Sequence, residues 1–350
     1  MKMRYSLLVA VLLSAVVLGW AWLRYDRFAA TPLAGIQEGE SLVVARGDNL
    51  PRILDKLQAQ GVATGDRLLW QLLAKDTGAA GKIQAGEYAL NPQTTPRSLL
   101  LAMRDGKVER RMFTIIEGWN MRDLRAALRK VPLLEQKVAD MDDAALMEAL
   151  GQKGQPAEGR FLPETYAWTR GESDLDILWR AYAAMDRELD ATWADRAENL
   201  PLKNRTEALI LASIIEKETG VADERPQIAG VFLRRLQKGM RLQTDPTVIY
   251  GMGSTYAGNL RRADLETDTP FNTYTRDGLP PTPIAMPGKA ALRAAVHPAP
   301  GDALYFVAVG DGSGRHVFSA TLGGHNAAVR DYVQRQREQR SAAQAGAAPK

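Results

Sequence analysis

A glutamate at the end of an otherwise uncharged helix is the most chemically loaded position in this chain. Residues 204–220 read NRTEALILASIIEKETG, and 208–215 carry no charge. A helix of that kind is buried on nearly every side, so a carboxyl group at its edge is partly desolvated. Glu218 lies seven residues after Leu211 and four after Ile214, on the same stripe as buried side chains. Desolvation disfavours the anion and keeps such an acid protonated near neutral pH, ready to protonate a leaving oxygen. The same residues also fit a solvated helix end, with Glu216 and Glu218 straddling Lys217. On these residues alone both readings stand.

Polar groups follow in a run that is otherwise apolar. MRLQTDPTVIYGMG carries Gln243, Thr244, Asp245 and Tyr250, and LETDTPFNTYTRDGLPPTPIAMPG carries Asn272, Thr273 and Tyr274. Amides, hydroxyls and phenols match sugar hydroxyls, which both donate and accept. Turn chemistry explains the same residues equally well, since Asp-Pro and Asn-Thr favour loops. Other chemistries find less footing. The absence of cysteine excludes a thiol nucleophile, a disulfide scaffold and zinc-ribbon or iron–sulfur sites. No GxSxG elbow occurs, and Ser213 has no histidine near it in sequence. His297, His316 and His325 lack HExxH or i, i+4 spacing, so structural hydrogen bonds or sugar contacts suit them better than a metal. The glycine pairs 251/253 and 310/312 lack the strand–GxGxxG–helix context of a nucleotide site. No metal or cofactor is expected.

These residues need elements to hold them. Asn204 caps the apolar helix, with Glu207 as its capping-box partner and Gly220 as the stop. Before it, 174–199 predict a longer helix with Leu178, Tyr182, Met185, Leu189 and Trp193 on one stripe, its aromatics read as core. After it, Pro226 opens a helix carrying Ile228, Val231, Phe232 and Leu236. Residues 243–300 are studded with proline and read as walls and loops around a site. A hairpin follows, 304–309 and 316–318 about the turn GDGSG, then a helix over 326–337. Towards the N-terminus, 42–57 and 113–128 echo each other about seventy-one residues apart. Each is a short apolar strand, a glycine turn, an asparagine at a helix N-cap (Asn49, Asn120), then helical spacing. Between them, 66–73 and 98–103 read as helices and 86–90 as a strand.

Residues 6–23 are about eighteen residues without a charge, roughly 27 Å as a helix and enough to cross a hydrocarbon core. Trp20, Trp22 and Tyr25 gather at its far end, as at a membrane interface. Bulky Trp22, Leu23 and Arg24 stand where a signal-peptide cleavage site needs small residues, which favours a retained anchor. Lys2 and Arg4 on one side balance Arg24 and Arg27 on the other, so charge barely orients the span. The whole chain has 350 residues, 45% hydrophobic and 25% charged, with 45 basic against 41 acidic residues. Those fractions suit a globular protein of about two domains, and the small net charge of +4 argues against nucleic acid.

ASIIEKETG followed by RLQTDPTVIYG and LETDTPFNTYTRDGLPP resembles the YceG-like family of endolytic murein transglycosylases. The likeness continues through AAVHPA, LYFVA and HVFSATLGGHNAAV, and earlier through EGRFLPETY. Thr282, Met286 and Glu164 depart from the residues usual there, and Thr282 and Met286 stand to alter a loop bordering the cleft. The resemblance implies an α+β fold with a single N-terminal transmembrane helix, a small LysM-like βα domain and a larger catalytic domain of helices and a β-hairpin. The expected divisions are 1–28 as cytoplasmic tip and anchor, 29–112 as the LysM-like domain, 113–338 as the catalytic domain and 339–350 as a disordered tail. It further implies cleavage of the MurNAc–GlcNAc bond inside nascent peptidoglycan strands, ending glycan elongation and leaving 1,6-anhydro-MurNAc ends. The second glutamate of EKET, Glu218, is then general acid and base, with Gln243, Thr244, Asp245, Tyr250, Asn272 and Tyr274 as substrate-binding residues. Asp245 and Glu266 are the choices for a second carboxylate. The body would face the periplasm from the bacterial inner membrane, with peptidoglycan synthases as partners. A tethered peptidoglycan-binding protein and a lysozyme-like hydrolase are the competing readings.

Overall fold

A computed structural model describes residues 2–346. Contacts divide the chain into two units, residues 1–112 with 167–172, and residues 113–166 with 173–350.

The first unit opens with helix α1 (Lys2–Ala30), of which Leu8–Ala30 is long and apolar enough to cross a membrane, as an anchor or a signal sequence. Strand β1 (Ser41–Val44), helices α2 (Leu50–Ala59) and α3 (Arg67–Asp76), strand β2 (Gly86–Ala89) and helix α4 (Pro96–Asp105) follow. The two strands pair antiparallel, Leu42 opposite Tyr88 and Val43 opposite Glu87. Both side chains of the first pair are buried with Ile53, Leu57, Trp70, Leu73 and Leu100. Asn49 caps α2, its Oδ1 accepting the Arg52 amide at 3.0 Å, as its residue type requires. Helix α1 ends inside this core: Ala29 is fully buried, Phe28 meets Trp70 edge-on at 5.7 Å, and Tyr25 donates to Asp76 at 2.8 Å.

Strand β3 (Arg111–Thr114) pairs with β4 (Thr165–Trp168), and the division between units runs through both. Between them lie α5 (Met121–Leu128) and α6 (Asp143–Ala149). Asn120 caps α5 in a reciprocal box, accepting the Asp123 amide while Asp123 accepts its own at 3.1 Å. The rest of the second unit is α7 (Asp174–Ala194), α8 (Arg205–Glu218), α9 (Arg225–Gln237), α10 (Asp245–Met252), α11 (Arg262–Glu266), α12 (Lys289–Val296), strands β5 (Tyr305–Ala308) and β6 (His316–Ser319), and α13 (Leu322–Gly346). Helix α8 is its axis. Residues 208–215 are all buried, packed on α12, α9 and α7. Strands β5 and β6 form an antiparallel hairpin, Phe306 opposite Phe318, with α13 against it.

Several expectations change. Residues 243–300 are not only walls: they contain α10, α11 and α12, and α12 covers the buried face of α8. Four of the eight residues of KAALRAAV are alanine, which lets two helix backbones approach closely but gives a weak apolar signal. Helix α7 stops at Ala194, short of residue 199. Asn204 caps α8, accepting the Glu207 amide at 3.0 Å, but no box closes because the Glu207 carboxylate takes the Lys203 amide instead. Nor does Gly220 close α8, since Thr219 is already extended. Helix α13 takes in residues 339–346 of the expected disordered tail, and 347–350 lie outside the described residues.

Candidate active site

The uncharged body of α8 fixes its axis in the core, and the turn to extended backbone at Thr219 leaves Glu218 as its last residue, half-buried at the edge of a cavity. The cavity measures about 540 Å³ and is lined by Glu218, the segment Leu242–Asp245, Tyr274, the β5–β6 hairpin and the start of α13. The Thr244 hydroxyl donates to Glu218 Oε1. Burial pushes the Glu218 carboxyl up to about 7, the Asp245 charge adds to the rise, and the Thr244 hydrogen bond opposes it. At neutral pH this carboxyl is divided between acid and anion.

Thr244 is itself buried and held from several sides. Its amide donates to Thr273 Oγ1 at 3.1 Å, and Thr247 Oγ1 donates to its carbonyl at 2.7 Å. Next to it Gln243 adopts φ 51°, the left-handed region that a non-glycine residue rarely occupies. Two bonds pin it there: its amide donates to the Thr273 carbonyl at 3.1 Å, and Arg235 donates to its Oε1 at 3.2 Å. Arg235, buried, also donates to the carbonyls of Leu304 at 2.7 Å and of Arg241 and Leu242 at 3.0 Å. One guanidinium thus ties the 241–243 segment to the start of the hairpin, and lies over the Tyr305 ring at 5.1 Å. Tyr274 closes the other side, donating to Asp245 Oδ1 at 2.6 Å.

Four of the six binding residues expected from the sequence, Gln243, Thr244, Asp245 and Tyr274, line this cavity with Glu218. Asn272 and Tyr250 do not. Asn272 is fully buried: its Nδ2 donates to the Thr267 and Leu265 carbonyls at 2.7 and 3.0 Å, and its Oδ1 accepts the Tyr274 amide at 2.8 Å. It shapes the loop that presents Tyr274. Tyr250 packs on Phe271 and donates to Glu158 at 3.0 Å. Of the two second-carboxylate choices, Asp245 is in the cavity, whereas Glu266 pairs with Arg262 on the exposed helix α11. Glu216 faces elsewhere, accepting the Gly288 amide at 3.0 Å at the start of α12.

Glu158 opens the family-like segment EGRFLPETY, but nothing in the sequence set it apart as a site residue. It is buried, with Oε2 accepting the Met121 amide at 3.1 Å and the Tyr250 hydroxyl, while Oε1 has no partner. Burial raises it to about 7 against those hydrogen bonds. Its neighbour Gly159 has φ +77°, and a Cβ there would meet the Pro283 ring at 2.4 Å. Arg235 was legible in principle, since it continues the buried 228–232 stripe of α9 as a lone charge. His316 is held by buried Glu224, which accepts from its backbone amide at 3.0 Å and from Nδ1–H at 2.8 Å. His325 stacks on Tyr305 at 5.2 Å, and its Nδ1 is buried without a partner. Both line the cavity, whereas His297 pairs with Asp195 elsewhere. Among the described residues no cluster of His, Cys, Asp or Glu could hold a metal ion.

A family model described as "YceG-like family" matches residues 42–331. A Bacillus subtilis protein named endolytic murein transglycosylase is 30% identical over 84% of this chain and 85% of its own length. A Streptococcus pneumoniae protein of the same name is 27% identical over 76% of this chain and 53% of its own. The crystal structure of a yceG-like protein from Listeria monocytogenes superposes with a TM-score of 0.51 at 30% identity, covering 83% of this chain and 99% of that one. With its family model matched across the large majority of its length, this chain belongs to the YceG-like family.

Proposed function

We infer that this chain is an endolytic peptidoglycan lytic transglycosylase that cuts the MurNAc–GlcNAc bond within nascent strands. The observation that carries the reading is Glu218 itself: a carboxyl raised to about 7, facing a cavity lined by amide, hydroxyl and phenol groups. In its acid form Glu218 protonates the bridging oxygen as the bond from C1 of the muramyl ring breaks. The resulting carboxylate then takes the proton from the C6 hydroxyl as that oxygen bonds to C1. A 1,6-anhydro ring forms, Glu218 recovers its proton, and no water enters. Because the nucleophile belongs to the same sugar, ring closure is intramolecular and needs little further ordering. Asp245, steadied by Tyr274, is the second carboxylate, its negative charge favouring the cation-like ring of the transition state.

The N-terminal helix is read as a single-pass anchor of the inner membrane, with the body in the periplasm where the glycan lies. Burial of Ala29 and the Phe28–Trp70 and Tyr25–Asp76 contacts support retention, since removing the helix would open the first unit's core. Two helices between paired strands in that unit support the LysM-like reading. Peptidoglycan synthases are the partners that a strand-cutting enzyme on this membrane face would meet.

The test is mass spectrometry of uncrosslinked glycan strands after incubation with the protein and with Glu218→Gln. Internal fragments ending in 1,6-anhydro-MurNAc, lost in the variant, are expected. Reducing ends would mean a hydrolase, and uncut strands with both folded proteins a tethered binder.

A further inference from the structure

A cavity in the first unit shares no lining residue with the one at Glu218. It measures about 680 Å³, with one wall formed by the far end of α1, through Trp20, Leu23, Arg24 and Arg27, and the other by the segment before α3 and by Leu69. The charges on its walls are unequal. Arg24 is engaged, pairing with Asp66 at 3.3 Å and lying over the Trp20 ring at 5.6 Å. Arg27 forms no ion pair among the described residues, so the cavity keeps one uncompensated guanidinium. Beyond the rim, Leu68 and Leu72 stand exposed on α3 at 61% and 47%, carrying the apolar surface onward from Leu69.

We propose that this cavity holds the phosphodiester head of an anionic membrane phospholipid, with the start of its acyl chains along Leu23 and Leu69. The occupant follows from where the walls come from. Trp20 and Leu23 belong to the same helix as the uncharged span, so whatever fills the cavity lies at the depth of the lipid headgroups. A planar guanidinium matches phosphate oxygens two at a time, and the apolar wall beside it suits an acyl chain. Continuity with the span and the free positive charge together select a lipid over a soluble anion. The inference rests on the reading of α1 as a retained anchor.

The full chain, purified in mild detergent, is offered equal amounts of phosphatidylglycerol and phosphatidylcholine, and retained lipid is read by native mass spectrometry. One phosphatidylglycerol per chain is expected, preferred about fivefold, the gain of one cation beside an anionic headgroup. Arg27→Ala, at an exposed position, loses the preference, whereas Arg52→Ala, exposed on α2 and outside the cavity's lining, keeps it. Inorganic phosphate leaves the lipid in place. Equal retention of the two lipids, an unchanged preference in Arg27→Ala, or displacement by phosphate overturns the site. Carbonate extraction of membranes reads the anchor separately. A chain that washes off overturns the anchor and this site with it; one that stays in the pellet without lipid preference overturns the site alone.

Discussion

Tyr274 donates its phenol hydrogen to Asp245 at 2.6 Å, and the carboxylate it steadies is the charge that raises Glu218 further. Asn272 stands behind this relay, fixing the Tyr274 backbone from the core. The acidity of Glu218 is thus governed partly from a loop that begins well after the helix bearing it.

Asp245→Asn tests that relay. The variant removes the like charge but keeps a carbonyl oxygen for Tyr274. Burial, the larger cause, still holds Glu218 above the ordinary value near 4.5, so the change is partial. The alkaline limb of kcat/KM, set near 7 in the wild type, should move to lower pH, and activity at pH 7.5 should fall more than at pH 5.5. The readout is the rate of anhydro-end formation against pH, and a limb that stays in place contradicts the coupling.

Glu158 carries a stability prediction. A carboxyl that binds its proton more tightly folded than unfolded lends stability below its unfolded value near 4.5, and that stability is lost as pH rises through about 7. Between about 4.5 and 7 this one group should cost up to about 1.4 kcal/mol per pH unit, and above 7, ionised in both states, it costs no more. Glu158→Gln removes that share, so urea unfolding at pH 5 and 7 should show a shallower fall than in the wild type. Equal slopes would show that Glu158 stays ionised throughout.

Arg235→Lys keeps the charge and loses the fork. An ammonium cannot reach the carbonyls of Leu304, Arg241 and Leu242 together, so about 2–3 kcal/mol of stability should go. With Gln243 released from one of its pins, cleavage should slow by at least about tenfold, since small misplacements at a site are costly. Thermal melting and the anhydro-end assay check both, and a wild-type result in either would refute the role given to this residue.

In the first unit, Glu87 behaves oppositely to Glu158. Burial pushes its carboxyl up, but Arg111 at 2.7 Å, Ser41 at 2.6 Å and Arg170 hold it below the usual value. Its contribution is present above the unfolded value near 4.5 and is lost as pH falls below that. Glu87→Gln should therefore cost about 2 kcal/mol at pH 7, the scale of a hydrogen bond to a charged group, with the gap narrowing towards pH 3. Denaturant midpoints at the two pH values measure it, and a constant gap would assign the loss to packing.

What the sequence made legible was local. The asparagine caps at 49, 120 and 204, the uncharged run of α8 and the hairpin about GDGSG each carry their signal within a few residues. Helix α12 was hidden because KAALRAAV is short and half alanine, in a stretch studded with proline. Tyr250 and Asn272 read as sugar-binding groups of the cleft, and only tertiary packing turns them inward. Glu158, though it opens EGRFLPETY, was not marked as buried for the same reason, since it meets a tyrosine ninety-two residues away.

The end of α1 inside the first unit's core, through Ala29, Phe28 and Tyr25, leaves no slack between helix and domain. If α1 spans the bilayer, the first unit is a rigid handle on it, not a body on a string. A thinner or thicker membrane, which makes a spanning helix lean, would then lean this unit by the same angle. Bilayer thickness becomes a mechanical input to the unit, and inserting a few flexible residues after Ala30 would disconnect it.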